Sequence, residues 1–123
     1  IERREKRGAD PVFWAMLALR GGDVVGTALF SPLYSTTLGS AGAYVSDLWI
    51  AGAMRGAGLG PRLLGAVRDE TRKRWRAGFI RLAVYTDNPR ALAFYQRLGF
   101  DPRKGEVGMI LKGAALEAIG GDT

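Results

Sequence analysis

Arg55-Gly56-Ala57-Gly58-Leu59-Gly60 follows an apolar run at 45–50 and precedes Leu63, Leu64, Val67, Thr71 and Trp75. The run before it reads as a strand. The five residues after it recur at near-helical spacing and predict a helix over 61–76 that buries one stripe against a sheet, with Gly78 closing it. A glycine turn at that junction places unpaired helix N–H groups where they can grip an anion. Thirty residues on, Asn88-Pro89-Arg90-Ala91-Leu92-Ala93-Phe94-Tyr95-Gln96-Arg97-Leu98-Gly99-Phe100 reads as a second, short helix. Pro89 fits its first position, Asn88 caps it, Leu92, Tyr95 and Leu98 have core spacing, and Gly99 stops it.

Outward from these segments, 12–20 and 24–30 are strands around Gly21-Gly22-Asp23, a hairpin signal. Residues 31–42, rich in Ser, Thr, Gly and Pro, read as a loop, and 43–51 as a strand. Alternation of Ile80, Leu82 and Val84 with Arg81, Ala83 and Tyr85 marks a strand over 79–86. A last hairpin is expected from 100–103 and 107–112 across Lys104-Gly105. Residues 1–10 read as a helical remnant or tail, and 114–123 as a C-terminal tail. No repeat or linker divides the chain, so 1–123 is expected to be a single domain. This order gives the α/β class: a mixed central sheet of about six strands, with a crossover helix joining parallel strands and one short helix.

Composition narrows the chemistry. The 123 residues are 47% apolar, which supports an ordinary core. There is no Cys and no His, so thiolate nucleophiles, disulfides, the usual general base and the commonest metal ligands are absent. No metal is expected. Acid–base work falls to carboxylates, tyrosines, water or the backbone. The longest apolar stretch, 12–19, is far short of the roughly 20 residues that span a bilayer, so the chain reads as cytoplasmic, without a membrane partner. A net charge of +6 by itself admits nucleic acid, an anionic membrane surface or a small polyanion as a partner. The run Arg72, Lys73, Arg74, Arg76, however, reads as a solvated face at a helix C-terminus.

The two quoted segments, in this order and spacing, resemble the GNAT superfamily of acyl-CoA-dependent N-acyltransferases, over about residues 12–111. Arg55, Gly58 and Gly60 match its R-x-x-G-x-G pattern. Val84, Asn88, Ala91, Phe94, Tyr95, Gly99 and Phe100 match its second motif. The resemblance implies the GNAT fold, preceded in full-length members by another strand and helix. It also implies acetyl-CoA as co-substrate, with CoA held by Arg55, Gly56, Ala57, Gly58, Leu59 and Gly60, by backbone groups of Leu48, Trp49 and Ile50, and by Asn88, Phe94 and Tyr95. Tyr95 would protonate the departing thiolate after direct attack through a tetrahedral intermediate. A freed N–H near Trp49 or Ile50 would hold the oxyanion. The Trp49 side chain, like Trp14 and Trp75, is expected in the core.

Tyr44-Val45-Ser46-Asp47 resembles the Tyr-x-Glu-Asp pattern of the diamine (spermidine/spermine) acetyltransferase branch, with Ser46 in place of Glu. Asp47 is the surviving carboxylate, either the catalytic base or a structural edge residue. Tyr34, Tyr44, Ser46, Asp47 and Asp87, with Glu106, are candidates to meet a small-molecule or peptide amine acceptor. Relatives pair through C-terminal strands, which makes a homodimer the expected assembly. Two other readings stay open: a CoA-binding sensor without turnover, and a basic nucleic-acid-binding module.

Overall fold

The computed structural model describes residues 1–5 and 13–121. Five strands, β1 (Glu2–Glu5), β2 (Trp14–Arg20), β3 (Asp23–Ser35), β4 (Ser40–Ile50) and β5 (Ile80–Leu82), form one sheet in sequence order. The first three pairings are antiparallel and β4–β5 is parallel. Helix α1 (Leu59–Trp75) is the crossover between the parallel pair, α2 (Pro89–Arg97) follows β5, and α3 (Gly113–Ala118) ends the described chain. The mixed α/β sheet with a crossover helix is as expected, with five strands rather than about six among the described residues. The chain divides into two compact units, Ile1–Pro89 and Arg90–Thr123.

In the first unit, hairpin chemistry sets the register. Gly21 and Gly22 turn β2 into β3 with φ of 58° and 88°, the two left-handed positions of a type I′ turn. Residues 31–42 are not a loop: β3 runs on to Ser35 and β4 starts at Ser40. Pro32 is tolerated within β3 because its partner Ala43 directs its N–H to Phe79 in the other direction, so Pro32's nitrogen faces away from β4. On that side the described pairing with β2 reaches only the Trp14–Phe30 pair. Residues 2–5, expected as helix or tail, are an edge strand on β2, where an all-charged sequence discourages further pairing. Positions 6–12, part of the expected remnant and of the first strand, lie outside the described residues.

The core lies between α1 and one sheet face. Met16, Ala18, Ala28, Phe30, Ala43 and Val45 on the strands meet Leu59, Leu63, Leu64, Val67 and Thr71 on the helix, all buried. The stripe read from sequence is the one buried. Trp14, Phe30 and Trp75 form a ring cluster with centroids 5.7–6.5 Å apart, and the Trp75 indole N–H donates to the Gly42 carbonyl at 2.9 Å. Trp14 and Trp75 are thus packing residues, as expected. Helix α1 starts two residues before Pro61 and ends at Trp75, within one residue of the expected end; its left-handed cap is Arg76, with φ of 57°, rather than Gly78, and the Arg76 N–H donates to the Arg72 carbonyl. Among the described residues, no helix is long and apolar enough to cross a membrane.

In the second unit α2 spans the predicted residues but has no fully buried member. Leu92 and Leu98, expected in a core, are exposed; among the described residues the ring contacts here join Phe94, Tyr95 and Phe100. The expected last hairpin is missing. A turn does form at Lys104-Gly105, but 100–103 and 107–112 have no ladder, and Val107, Met109 and Ile110 are 81–91% exposed. An isolated two-stranded hairpin is marginal without a third strand or a helix against it. The expected tail at 114–123 contains most of α3.

Candidate active site

Strand β4 holds the site's main irregularity. Leu29 and Phe30 are consecutive on β3, yet they pair with Asp47 and Val45, so Ser46 is one extra residue on β4, a β-bulge. Parallel pairing of β5 with β4 stops at the same point, at Val45–Leu82, while β4 remains paired to β3 through Ile50. A bulge bends and twists its strand, and here β4 turns away from β5. The strand expected over 79–86 is therefore only Ile80–Leu82. The result is an open β4 edge from Ser46 onward.

Which groups face that opening follows from the ladder. Ala51 donates its N–H to Val25 on β3 at 2.8 Å, and strand groups alternate sides. Trp49 and Asp47 therefore direct their N–H groups toward β3, whereas Leu48 and Ile50 direct theirs toward the open edge. Of the two donors expected from sequence, Ile50 faces the open edge and Trp49 does not.

The chain then makes a short 3₁₀ turn, Gly52–Met54, and enters the glycine segment. Gly56 and Gly58 have φ of 81° and 78°, and a Cβ built on either would meet nothing within 4 Å. Gly58 is the N-cap of α1. Among the described residues, the amides of Gly56, Gly58, Leu59 and Gly60 donate to no carbonyl, whereas Arg55, Ala57 and Arg62 donate to Gly52, Met54 and Gly58. Pro61 is the third helical residue rather than the first, so its missing N–H removes one donor from this set. The first turn has no acidic residue, and Arg55 and Arg62 are exposed. Four amides without a carbonyl partner at a helix N-terminus, with Arg55 and Arg62 exposed on either side of them in sequence, are groups that attract an anion.

The cradle and the open edge lie at one end of the sheet. Gly26 of β3 is why: a Cβ there would come within 2.9 Å of Leu63, 3.2 Å of Leu59 and 3.3 Å of Ile50, so the bare glycine lets the first turns of α1 settle over the end of β4.

The face opposite α1 carries the expected acceptor residues. The buried Ala28 and Phe30 define the α1 face, so their neighbours Thr27, Leu29 and Ser31 point the other way, and with them their partners Trp49, Asp47 and Tyr44. Asp47 and Ser46 are exposed and Tyr44 is half-buried. The Ser46 hydroxyl donates to the Leu29 carbonyl at 3.4 Å. Trp49, expected in the core, is instead 45% exposed, since its pairing with Thr27 puts it on the face opposite α1. Tyr34 is 64% exposed near the far end of β3, paired with Ala41. Asp87 is exposed in the turn before α2. Asp69 is held below the ordinary carboxylate range by its hydrogen bond from Arg68, on the exposed face of α1, away from these residues.

Tyr95 belongs to the second unit. Its position is set by a Schellman motif: Phe100 N–H donates to the Tyr95 carbonyl at 3.0 Å, Gly99 N–H to Gln96 at 3.0 Å, and Gly99 takes φ of 104°. The Phe100 ring meets the Tyr95 ring at 5.4 Å and Phe94 meets it at 5.1 Å, both edge-on. The Tyr-x-x-x-Gly-Phe spacing is thus a helix stop that clamps the phenol. Asn88 donates its N–H to the Tyr85 carbonyl in the turn ahead of α2. The residue missed by sequence reading is Ser46 as a bulge; a polar pair inside an apolar strand was its only signal.

Comparison with known proteins agrees with this architecture. The profile of the acetyltransferase (GNAT) family matches residues 2–100, across both units. Acetyltransferase Atu2258 of Agrobacterium fabrum is 38% identical over 73 residues, 59% of this chain and 50% of that protein, so the chain spans half the length of this curated relative. Among solved structures, the integron cassette protein VCH_CASS6 from the mobile metagenome of V. cholerae superimposes with a TM-score of 0.74 at 20% identity, over 86% of this chain and 65% of that one. The aminoglycoside N-acetyltransferase AAC(6')-Iy, in complex with CoA, gives 0.70 at 16% identity, over 82% and 77%.

Proposed function

Because the chain belongs to the GNAT acetyltransferase family, we propose that it transfers an acetyl group from acetyl-CoA to an amine by direct attack. One observation carries the reading: the Ser46 bulge ends β4–β5 pairing at Val45, opening amides of Leu48 and Ile50 beside a cradle of four unpaired amides. The donor set fits a diphosphate, because amides, Arg55 and Arg62 all favour negative charge and the first turn of α1 holds no acidic residue. Acetyl-CoA supplies the acyl group. The N–H of Ile50 or Leu48 stabilises negative charge developing on the acyl oxygen.

The acceptor has its own requirement. An alkylammonium of pKa about 10.4 offers roughly one free amine in 2,500 at pH 7, a cost of about 4.6 kcal/mol. Asp47, exposed beside the bulge, is the proposed base; Ser46 is not, as its proton already serves Leu29. Tyr95 is the proposed acid for the thiolate, and Phe94 and Asn88 are proposed cofactor contacts. The Tyr44-Val45-Ser46-Asp47 pattern supports a diamine as acceptor, with Tyr44 and Asp87 as further contacts. Tyr34 lies at the end of β3 farthest from Trp49 in the ladder, and its role is proposed only for a long acceptor.

Calorimetric titration with acetyl-CoA and thiol release over a panel of amines test this. Saturable binding with acceptor-dependent release is expected. Binding without release to any amine would leave a CoA sensor, and no binding, with salt-sensitive RNA affinity, would leave the nucleic-acid reading.

A further inference from the structure

The three tryptophans are used differently. Trp14 and Trp75 pack together on Phe30. Trp49 is 45% exposed, and among the described residues its indole makes no ring contact, cation–π contact or hydrogen bond. Its backbone N–H points to β3, so it offers no donor at the open edge. An indole left unoccupied on a sheet face needs a reason, since a large apolar ring in water forgoes burial that its two counterparts obtain.

Its neighbours suggest one. Asp47, two residues earlier on the same face, is exposed and has no ion pair among the described residues. On β2 to β4 the rest of this face, Ala15, Leu17, Thr27, Leu29, Ser31 and Tyr44, is uncharged. On the β5 side of Tyr44 the ladder brings in a charge, Arg81, and the charged β1 positions Glu2 and Arg4 pair with Leu17 and Ala15 of β2, two strands away from β4. The row therefore runs from a cation, past a phenol and a carboxylate, to an open indole. A positively charged ligand is repelled at the Arg81 end and held at the Trp49 end, where ring face and carboxylate both attract it.

Resting on the acetyl-transfer reading, we propose that Trp49 is a specificity residue that holds a second cationic nitrogen of the acceptor, while Asp47 faces the nitrogen that is acetylated. Side chains two apart on a strand stand about 6.6 Å from each other. That separation suits two basic nitrogens joined by a short alkyl chain. The Trp49 ring adds about 0.5–2 kcal/mol for a cation, a preference of roughly 2- to 30-fold.

The test is calorimetric titration of the CoA-loaded protein with a four-carbon diamine and the matched four-carbon monoamine, for wild type, Trp49→Ala and Trp49→Phe, alongside kcat/KM by thiol release. The diamine should bind wild type several-fold more tightly than the monoamine. That ratio should collapse in Trp49→Ala, recover in part in Trp49→Phe, and appear in KM rather than kcat. No diamine preference in wild type, or a preference untouched by Trp49→Ala, overturns the inference, even if monoamines are acetylated and the transfer reading survives. A Trp49-dependent diamine preference without thiol release upholds the cation site and overturns the transfer reading instead.

Discussion

Gly58 and Tyr95 show how single residues carry the proposed chemistry. Gly58 caps α1 in a left-handed conformation with open space beside it, so a side chain there is strained and stands next to the amides of the proposed anion site. Gly58→Asp should weaken CoA at least tenfold by titration, because it adds a negative charge where phosphate would sit; unchanged affinity would argue against the cradle. Tyr95→Phe keeps the ring contacts with Phe94 and Phe100 but loses the hydroxyl. Thiol release should fall about 10²-fold with little change in CoA affinity. Arg76 is a cost of another kind: a non-glycine residue at φ 57°. Arg76→Gly should raise stability by roughly 0.5–1 kcal/mol, read as an increase of a few degrees in Tm.

Elements decide what single residues cannot. Helix α1 is held by a stripe whose deepest members, Leu63 and Val67, are fully buried against β3 and β4. Leu63→Ala should cost about 2–5 kcal/mol by denaturant unfolding. It should also reduce CoA affinity, because Leu63 meets Gly26 in the contact that sets the first turns of α1 over β4. Retained affinity in a destabilised variant would show that the cradle forms independently of that packing. Much of this was legible: the stripe, the glycine turn and the Asn-Pro start of α2 lie in local spacing. The continuation of β3 through Pro32 was not, because whether a proline breaks a strand depends on which side its missing N–H faces, and the pairing decides that. The bulge at Ser46 was hidden for the same reason: an extra residue exists only relative to a partner strand.

At the scale of the whole molecule, burial is uneven. Among the described residues, every fully buried large side chain lies in the first unit, whereas α2 and α3 have none and 101–112 has no ladder. Hydrogen exchange should therefore be slowest in β3, β4 and α1 and fastest over 101–112. Slow exchange at 107–111 would show that another surface covers Val107, Met109 and Ile110. The glycine cradle, the helix over the Leu63 stripe and the phenol ahead of Gly-Phe were determined by sequence alone, since each rests on neighbours within a few positions. The open β4 edge, the outward Trp49 and the unpaired final segment were decided only by tertiary structure. Strand register, twist and the sides of a sheet are relations between distant segments, and no local pattern encodes them.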